Sequence, residues 1–321
     1  MTGQNPIEFH DLHTSRDEFA QDVINGLSQR PASIPPKYFY DAKGSKLFDA
    51  ITDLPEYYPT RTEVALLKKH ADDIAHEVGT GSLLVEPGGG SCAKVHILLQ
   101  GLQPCAYVPM DISRDHLEMA AQALAAQFPW LEIHAACTDF TRQMLLPSSA
   151  PEGTRVAFFP GSSIGNFDPS GAVDFLQSIA ALVGTGGYLL IGVDVKKDRH
   201  RLQAAYDDSA GVTAQFNLNL LARINRELDA DFDLQQWHHQ AFYREPPGRI
   251  EMHLQSQCDQ TVHINGQNFA FAAGETIHSE NSYKYSVEEF VALAAKAGFE
   301  SRQVWQDEDR LFSVHLFRVK T

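Results

Sequence analysis

Apolar and polar positions along the chain follow two periods, and the switches between them outline the fold. Short apolar runs at 83–85, 106–110, 131–140, 155–159 and 187–193 read as buried strands. The stretches between them carry apolar residues at helical spacing, such as Val95, Leu98, Leu99 and Leu102. Strand and helix therefore alternate from 83 to 194, which predicts a parallel sheet with right-handed crossovers. Helices are also expected at 16–27 (Phe19, Val23, Leu27, with Gly26 near the end), 44–51, 114–128 and 286–297. From 201 the texture changes. Residues 201–228 read as helix interrupted near Gly211, and 240–285 as antiparallel strands with Asn265-Gly266 as a two-residue hairpin turn. Strands at 301–306 and 311–319, around the acidic turn Asp307-Glu308-Asp309, return to the first style, so 201–285 reads as an insertion.

The strand ends carry the candidate chemistry. The first runs through Glu86 into Pro87-Gly88-Gly89-Gly90-Ser91-Cys92-Ala93-Lys94. This loop lacks G-x-G-x-x-G, and Lys94 is followed by Val95 rather than the Ser or Thr of a P-loop, so phosphate cradling is a poor fit. A strand ending Glu-x-Gly-x-Gly suits S-adenosylmethionine; a glycine turn without ligand is the alternative. The second strand ends in Asp111, roughly 20 positions after Gly88, where a doubly wound fold places an acid on ribose hydroxyls. The third ends in Asp139-Phe140, a pair that suits an adenine amino group and ring edge. Each Asp alone could be a helix N-cap, but three such strand ends in order point to a ligand.

The fourth strand breaks into Pro160-Gly161-Ser162-Ser163-Ile164-Gly165-Asn166, a small-polar loop where a second substrate would lie, or else a turn leading to a helix capped near Asp168. Tyr38, Phe39, Tyr40, Tyr57 and Tyr58 fall in proline-bounded loops at 35–41 and 54–63, as core packing or as a lid over a small polar ligand.

Composition narrows the partners. With 321 residues, 43% of them hydrophobic, the chain can bury a large core and is expected to hold two domains. A formal charge of −15 argues against nucleic acid or an anionic membrane as partner. The partner expected is a small-molecule substrate, and the chain is expected to be a monomer. Cys92, Cys105, Cys137 and Cys258 show no C-x-x-C spacing, and residues 1–17 lack a signal-peptide pattern, so a reducing cytoplasm is expected. His10, His13, His238, His239 and His263 form no H-E-x-x-H or similar spacing. They are expected to be structural or surface histidines, with no metal site.

Longer stretches then carry a family resemblance. They are Pro35-Pro36-Lys37-Tyr38-Phe39-Tyr40-Asp41, Leu54-Pro55-Glu56-Tyr57-Tyr58-Pro59-Thr60-Arg61-Thr62-Glu63, Gly161 to Asn166, Ala205-Tyr206-Asp207-Asp208, Ala210-Gly211-Val212-Thr213-Ala214 with Phe216-Asn217, and Asn225-Arg226-Glu227-Leu228. Together they resemble the S-adenosylmethionine-dependent histidine Nα-methyltransferases of ergothioneine biosynthesis, from about Ser33 to the end of the chain. The glycine loop departs from that family's usual form at Pro87, Gly89 and Cys92, and Asn281 stands where an apolar residue is common.

The resemblance implies an α/β fold: a Rossmann-like class I methyltransferase whose mostly parallel sheet ends in an antiparallel C-terminal hairpin, with a second α+β domain that binds substrate. It implies that 1–62 packs with the substrate domain, that 63–200 and 286–321 form the methyltransferase domain, and that 201–285 is the inserted substrate-binding domain. It further implies that Gly88, Lys94, Asp111, Asp139 and Phe140 contact S-adenosylmethionine, and that Tyr57, Asn166, Tyr206, Glu280 and Ser282 contact histidine. Tyr40, Gly161 and Met252 would line the pocket, with Asn166 and Tyr40 taking part in catalysis. Glu280 and Ser282 stand two apart on an expected strand, so both side chains face one way and can address the two imidazole nitrogens. The reaction expected is in-line attack of a neutral α-amine on a sulfonium methyl, with solvent taking the proton. Two alternatives are the same transfer to tryptophan or a sulfur-substituted histidine, and a non-catalytic sensor.

Overall fold

The computed structural model describes residues 7–12, 17–142 and 144–320; His13 and Arg16 lie outside the described residues. The chain opens with β1 (Ile7–Asp11), α1 (Asp17–Ser28), β2 (Ala32–Ser33), α2 (Ala42–Thr52) and α3 (Tyr58–Val78). The alternating run follows: β3 (Leu83–Pro87), α4 (His96–Leu102), β4 (Ala106–Asp111), α5 (Arg114–Gln127), β5 (Ile133–Cys137), β6 (Arg155–Phe159), α6 (Pro169–Val183) and β7 (Tyr188–Asp194). Next come α7 (Arg199–Ala204), α8 (Val212–Leu228), β8 (Trp237–Arg244), β9 (Arg249–Ser256), β10 (Gln260–Ile264), β11 (Gln267–Phe271) and β12 (Thr276–Tyr283). The chain closes with α9 (Val287–Lys296), β13 (Phe299–Gln306) and β14 (Phe312–Val319).

These elements form two compact units. The first comprises the described part of 1–14 with 59–196 and 284–321. Its sheet has the order β1-β5-β4-β3-β6-β7-β14-β13, parallel from β1 to β7, with β14 antiparallel to both neighbours. This order is the Rossmann-like arrangement expected from the sequence, with β1 added at the edge. The strands β3, β5 and β7 are buried along their whole length, as parallel strands covered on both faces must be, which is why they read as continuous apolar runs. The core joins Leu84, Val156, Leu190 and Leu316 of neighbouring strands to Leu66, Leu98, Leu117 and Leu124 of the helices. Helix starts are locally encoded. Asp168 accepts from Gly171 N at 2.8 Å to cap α6, and Ser286 with Glu289 forms a capping box on α9.

The second unit comprises 15–58 and 197–283, as far as described. It holds the sheet β2-β12-β9-β8 and the hairpin β10-β11. Asn265 (φ 48°) and Gly266 (φ 77°) make the expected hairpin turn, both in the positive-φ region that such a turn requires. Its core includes Phe39 against Phe216, with ring centroids 4.6 Å apart, and Trp237 against Phe271 at 5.1 Å.

Three sequence expectations need correction. Residues 7–11 and 59–62 fall in the first unit rather than with the rest of 1–62: β1 pairs with β5, from Ile7 opposite Ile133 to Asp11 opposite Cys137, and so supplies hydrogen-bond partners to what would otherwise be an open sheet edge. Residues 58–63 are not loop but the first turns of α3, where Pro59 is tolerated because first-turn N–H groups have no intrahelical acceptor. The third strand stops at Cys137, so Asp139 and Phe140 lie in the turn beyond it. Among the described residues no helix is long and apolar enough to cross a membrane.

Candidate functional site

In the first unit the glycine loop is moulded around the ends of β3 and β4. Gly88 N and Gly89 N both donate to Met110 O, at 2.7 and 3.1 Å, which pins the loop to the neighbouring strand. The glycines have separate reasons to lack a side chain. Gly88 has φ +75° with the Phe140 ring 3.4 Å from where a Cβ would sit, and a Cβ on Gly90 would lie 2.7 Å from Asp111 Oδ2. The loop, Asp111 and Phe140 are thus brought together. Asp139 accepts from Thr141 N and Thr141 Oγ1 at 3.0 and 2.5 Å, and the Phe140 ring meets Phe159 edge-on at 6.0 Å.

Burial governs the charges here. Glu86 is enclosed, and desolvation pushes its carboxyl up to about 7 against the opposing pull of the Tyr107 hydroxyl, 2.5 Å away, and of Lys94. Burial also raises Asp111, offset in part by the bond from Ser113 N at 2.8 Å.

Lys94 Nζ lies 2.5 Å from Glu63 Oε2, and both oxygens of that buried carboxylate accept from Gly161 N, at 3.0 and 2.9 Å. A Cβ on Gly192 would sit 1.8 Å from Glu63 Oε1, so β7 leaves space for this acid. Glu63 therefore ties α3 to Lys94 and to the Gly161 loop. It lies within a stretch that carries the family resemblance, yet sequence reasoning gave it no role; the signal was an acid one turn before Leu66 and Leu67 on a helix. The loop continues through Ser162, whose Oγ accepts from Asp194 N at 2.8 Å, into a short 3₁₀ turn, Ser163–Asn166, that ends at Asn166. Asp194 in turn pairs with Lys284 at 2.7 Å, both side chains fully buried.

In the second unit a β-bulge sets the face of the other candidates. Ile277 is opposite Leu254, but the register shifts between His278 and Glu280, after which Glu280 is opposite Met252 and Ser282 opposite Ile250. Simple alternation from Ile277 would have sent Ser279 and Asn281 to the inner face. The extra residue puts Glu280 and Ser282 there instead, beside Met252.

Tyr206 Oη lies 2.8 Å from Ser282 Oγ, both buried, and its ring meets Tyr57 edge-on at 6.2 Å. Phe48 links Tyr57 (6.3 Å) to Tyr40 (5.7 Å). Tyr40, Tyr57, Tyr206 and Ser282 thus join one cluster.

Two supports fix that cluster. Asp41 caps α2 through Gly44 N and accepts from Asn219 at 2.9 Å and Arg226 at 2.7 Å on α8; burial would raise its carboxyl, but these donors hold it below the usual range. That explains why the stretches ending in Asp41 and containing Arg226 belong together. His239 is buried and its pKa is lowered by desolvation, hence neutral. Asn217 Nδ2 donates to its Nδ1 at 2.8 Å, so Nε2 carries the hydrogen and donates to Tyr206 O at 2.9 Å. Sequence reasoning had put His239 among structural or surface histidines, without the tie to Tyr206.

Comparison with known proteins gives this geometry a family. Residues 19–319 match the family described as histidine-specific, S-adenosylmethionine-dependent methyltransferases. The histidine N-alpha-methyltransferase of Mycolicibacterium smegmatis is 41% identical over 310 residues, covering 94% of this chain and 95% of that protein. Ergothioneine biosynthesis protein 1 of Neurospora crassa is 32% identical over 86% of this chain, which spans only 32% of that longer protein. The 4-dimethylallyltryptophan N-methyltransferase easF of Claviceps purpurea is 26% identical, covering 91% of this chain and 92% of that protein. The chain belongs to the family of histidine-specific methyltransferases that depend on S-adenosylmethionine.

Proposed function

We propose that this chain methylates the α-amino group of L-histidine, up to the trimethylated betaine hercynine, as a step of ergothioneine biosynthesis. The observation that carries the reading is the bulged β12, which turns Glu280 and Ser282 to one face beside Tyr206. A neutral imidazole has one N–H and one lone pair. The Glu280 carboxylate suits the N–H, and the Ser282 hydroxyl, 2.8 Å from Tyr206 Oη, suits the other nitrogen. An indole offers a single N–H and would leave one of the two without its partner, which is a strong basis for rejection.

Gly88, Lys94, Asp111, Asp139 and Phe140 are assigned to S-adenosylmethionine. The fit is supported by the carboxylate of Asp111 against a glycine where a Cβ would collide with it, and by the Phe140 ring against Gly88. When bound, this cofactor supplies a sulfonium methyl to a nucleophile. The protein's part is to hold the amine neutral and aligned. Asn166 and Tyr40 orient it, with Tyr57, Gly161, Tyr206 and Met252 lining the substrate, and solvent takes the proton. Chain composition and four free thiols support a cytoplasmic location, and we infer a monomer.

The test is incubation with S-adenosylmethionine and each common amino acid, with product masses. One, two and three methyls added to histidine alone is the expected result. Methylation of tryptophan instead would overturn the Glu280 and Ser282 assignment, and no methylation would favour a sensor.

A further inference from the structure

We propose that Glu8, His10 and His134 form a binding site for a divalent transition ion of the zinc type at the β1 edge of the large sheet. The parallel register sets Glu8 opposite His134, and two-residue spacing puts His10 on the same face as Glu8. Glu8 Oε2 lies 3.3 Å from His134 Nδ1 and 3.6 Å from His10 Nε2, and all three ligand atoms fall within 4.8 Å of one another. Around a tetrahedral ion with bonds of about 2.0–2.1 Å, ligand atoms stand about 3.3 Å apart, so only the two imidazoles need to close in.

Two further observations separate this cluster from an ordinary surface ion pair. His10 Nε2 is buried and has no hydrogen-bond partner among the described residues. His134 is buried, and its Nε2 lies 2.7 Å from Glu132 Oε1. The carboxylate takes the Nε2 hydrogen and leaves the Nδ1 lone pair toward Glu8 and His10, the outer-carboxylate arrangement found behind metal-bound histidines. The Ser149 hydroxyl donates to Glu8 Oε2 at 2.5 Å and lies 3.3 Å from His134 Nδ1, close to where a fourth ligand would stand.

Two nitrogens and one carboxylate suit zinc and its neighbours in the first transition row, whereas magnesium and calcium prefer all-oxygen sites. Sequence spacing concealed the set, because His10 and His134 lie on strands far apart in the chain. A bound ion would clamp β1 to β5.

The full chain, stripped with a chelator, is titrated with Zn²⁺ by calorimetry and with Co²⁺ by visible absorption. One ion per chain is expected, with intense Co²⁺ bands of low coordination number and a rise in melting temperature. His10→Ala and Glu8→Gln should abolish binding, and Glu132→Gln should weaken it about 10–100-fold. Both His10 and Glu132 are partly exposed, so these variants keep the test open if His134→Ala does not fold. Absence of binding, or binding undiminished in folded His10→Ala, would overturn the site; the second result would assign the ion to other histidines.

Discussion

The first unit buries charges beneath its loops, whereas the second holds Tyr206 by neutral hydrogen bonds and leaves the arginine of its Asp41–Arg226 pair half exposed. Glu63 with Lys94 and Asp194 with Lys284 are ion pairs with buried carboxylates, and Glu86 is a buried acid. Tyr206 with Ser282 and Asn217 with His239 are uncharged pairs whose direction is set by tautomer and bulge. A buried ion pair tolerates loss of one partner badly, since the other charge is stranded, while a neutral pair loses about one hydrogen bond. Damage to the first unit should therefore appear in stability, and damage to the second in substrate affinity.

The largest break expected is Lys284→Met, which leaves Asp194 charged and enclosed. Unfolding free energy should fall by about 3–5 kcal/mol, and Lys284→Met with Asp194→Asn should recover part of it. A loss below about 1 kcal/mol in denaturant titration would remove this pair from the comparison.

Titration offers a second, graded break. The Glu86 pKa is raised from 4.5 to about 7, so its favourable contribution is complete below pH 4.5 and is lost as pH rises through 7. His239 is shifted the other way. Its contribution is present above about 6.5 and is lost as pH falls toward its lowered value. Thermal melts of the ligand-free protein should show Glu86→Gln gaining on the parent between pH 4.5 and 7, by at most about 1.4 kcal/mol per pH unit, then holding level. Equal pH slopes for parent and variant would mean that Glu86 titrates normally.

What the sequence disclosed follows the same division. The apolar runs at 83–85 and 155–159, and the acids Glu86 and Asp111 at strand ends, are legible because each depends on neighbours within a few residues. Glu63 is not, because the groups that define it, Gly161 N and Lys94, come from distant elements. The two-residue spacing of Glu280 and Ser282 gave a shared direction, but which face they share depends on a bulge opposite β9 that no local pattern announces. β1 is five residues long with polar Glu8, His10 and Asp11, too mixed to mark as a strand before its partner β5 is known.

Paired variants sharpen the division between the two ligands. Glu280→Gln keeps size and removes charge, and should raise the KM for histidine about 10–100-fold while leaving S-adenosylmethionine affinity within about twofold. Gly90→Ala places a Cβ against Asp111 and should do the reverse, weakening S-adenosylmethionine about tenfold with little change for histidine. Calorimetry for one ligand and steady-state kinetics for the other separate them; crossed effects would show that the assignments are exchanged or shared.

The smallest effect tests the tautomer argument. Asn217 Nδ2 donates to both His239 Nδ1 and His253 O, and only with Nδ1 accepting does His239 present a hydrogen to Tyr206 O. Asn217→Leu preserves bulk but removes the donor, so His239 can turn its hydrogen to Nδ1 and set a lone pair against the Tyr206 carbonyl. Tyr206 then loses a backbone anchor, while its hydroxyl must still meet Ser282. The KM for histidine should rise about three- to tenfold, in proportion to one neutral hydrogen bond, with S-adenosylmethionine affinity unchanged. His239→Gln, which can still donate from its amide to the carbonyl, should restore much of that affinity in the Asn217→Leu background. If Asn217→Leu lowers stability alone and leaves the histidine KM at the parent value, His239 supports the fold of the second unit without orienting Tyr206.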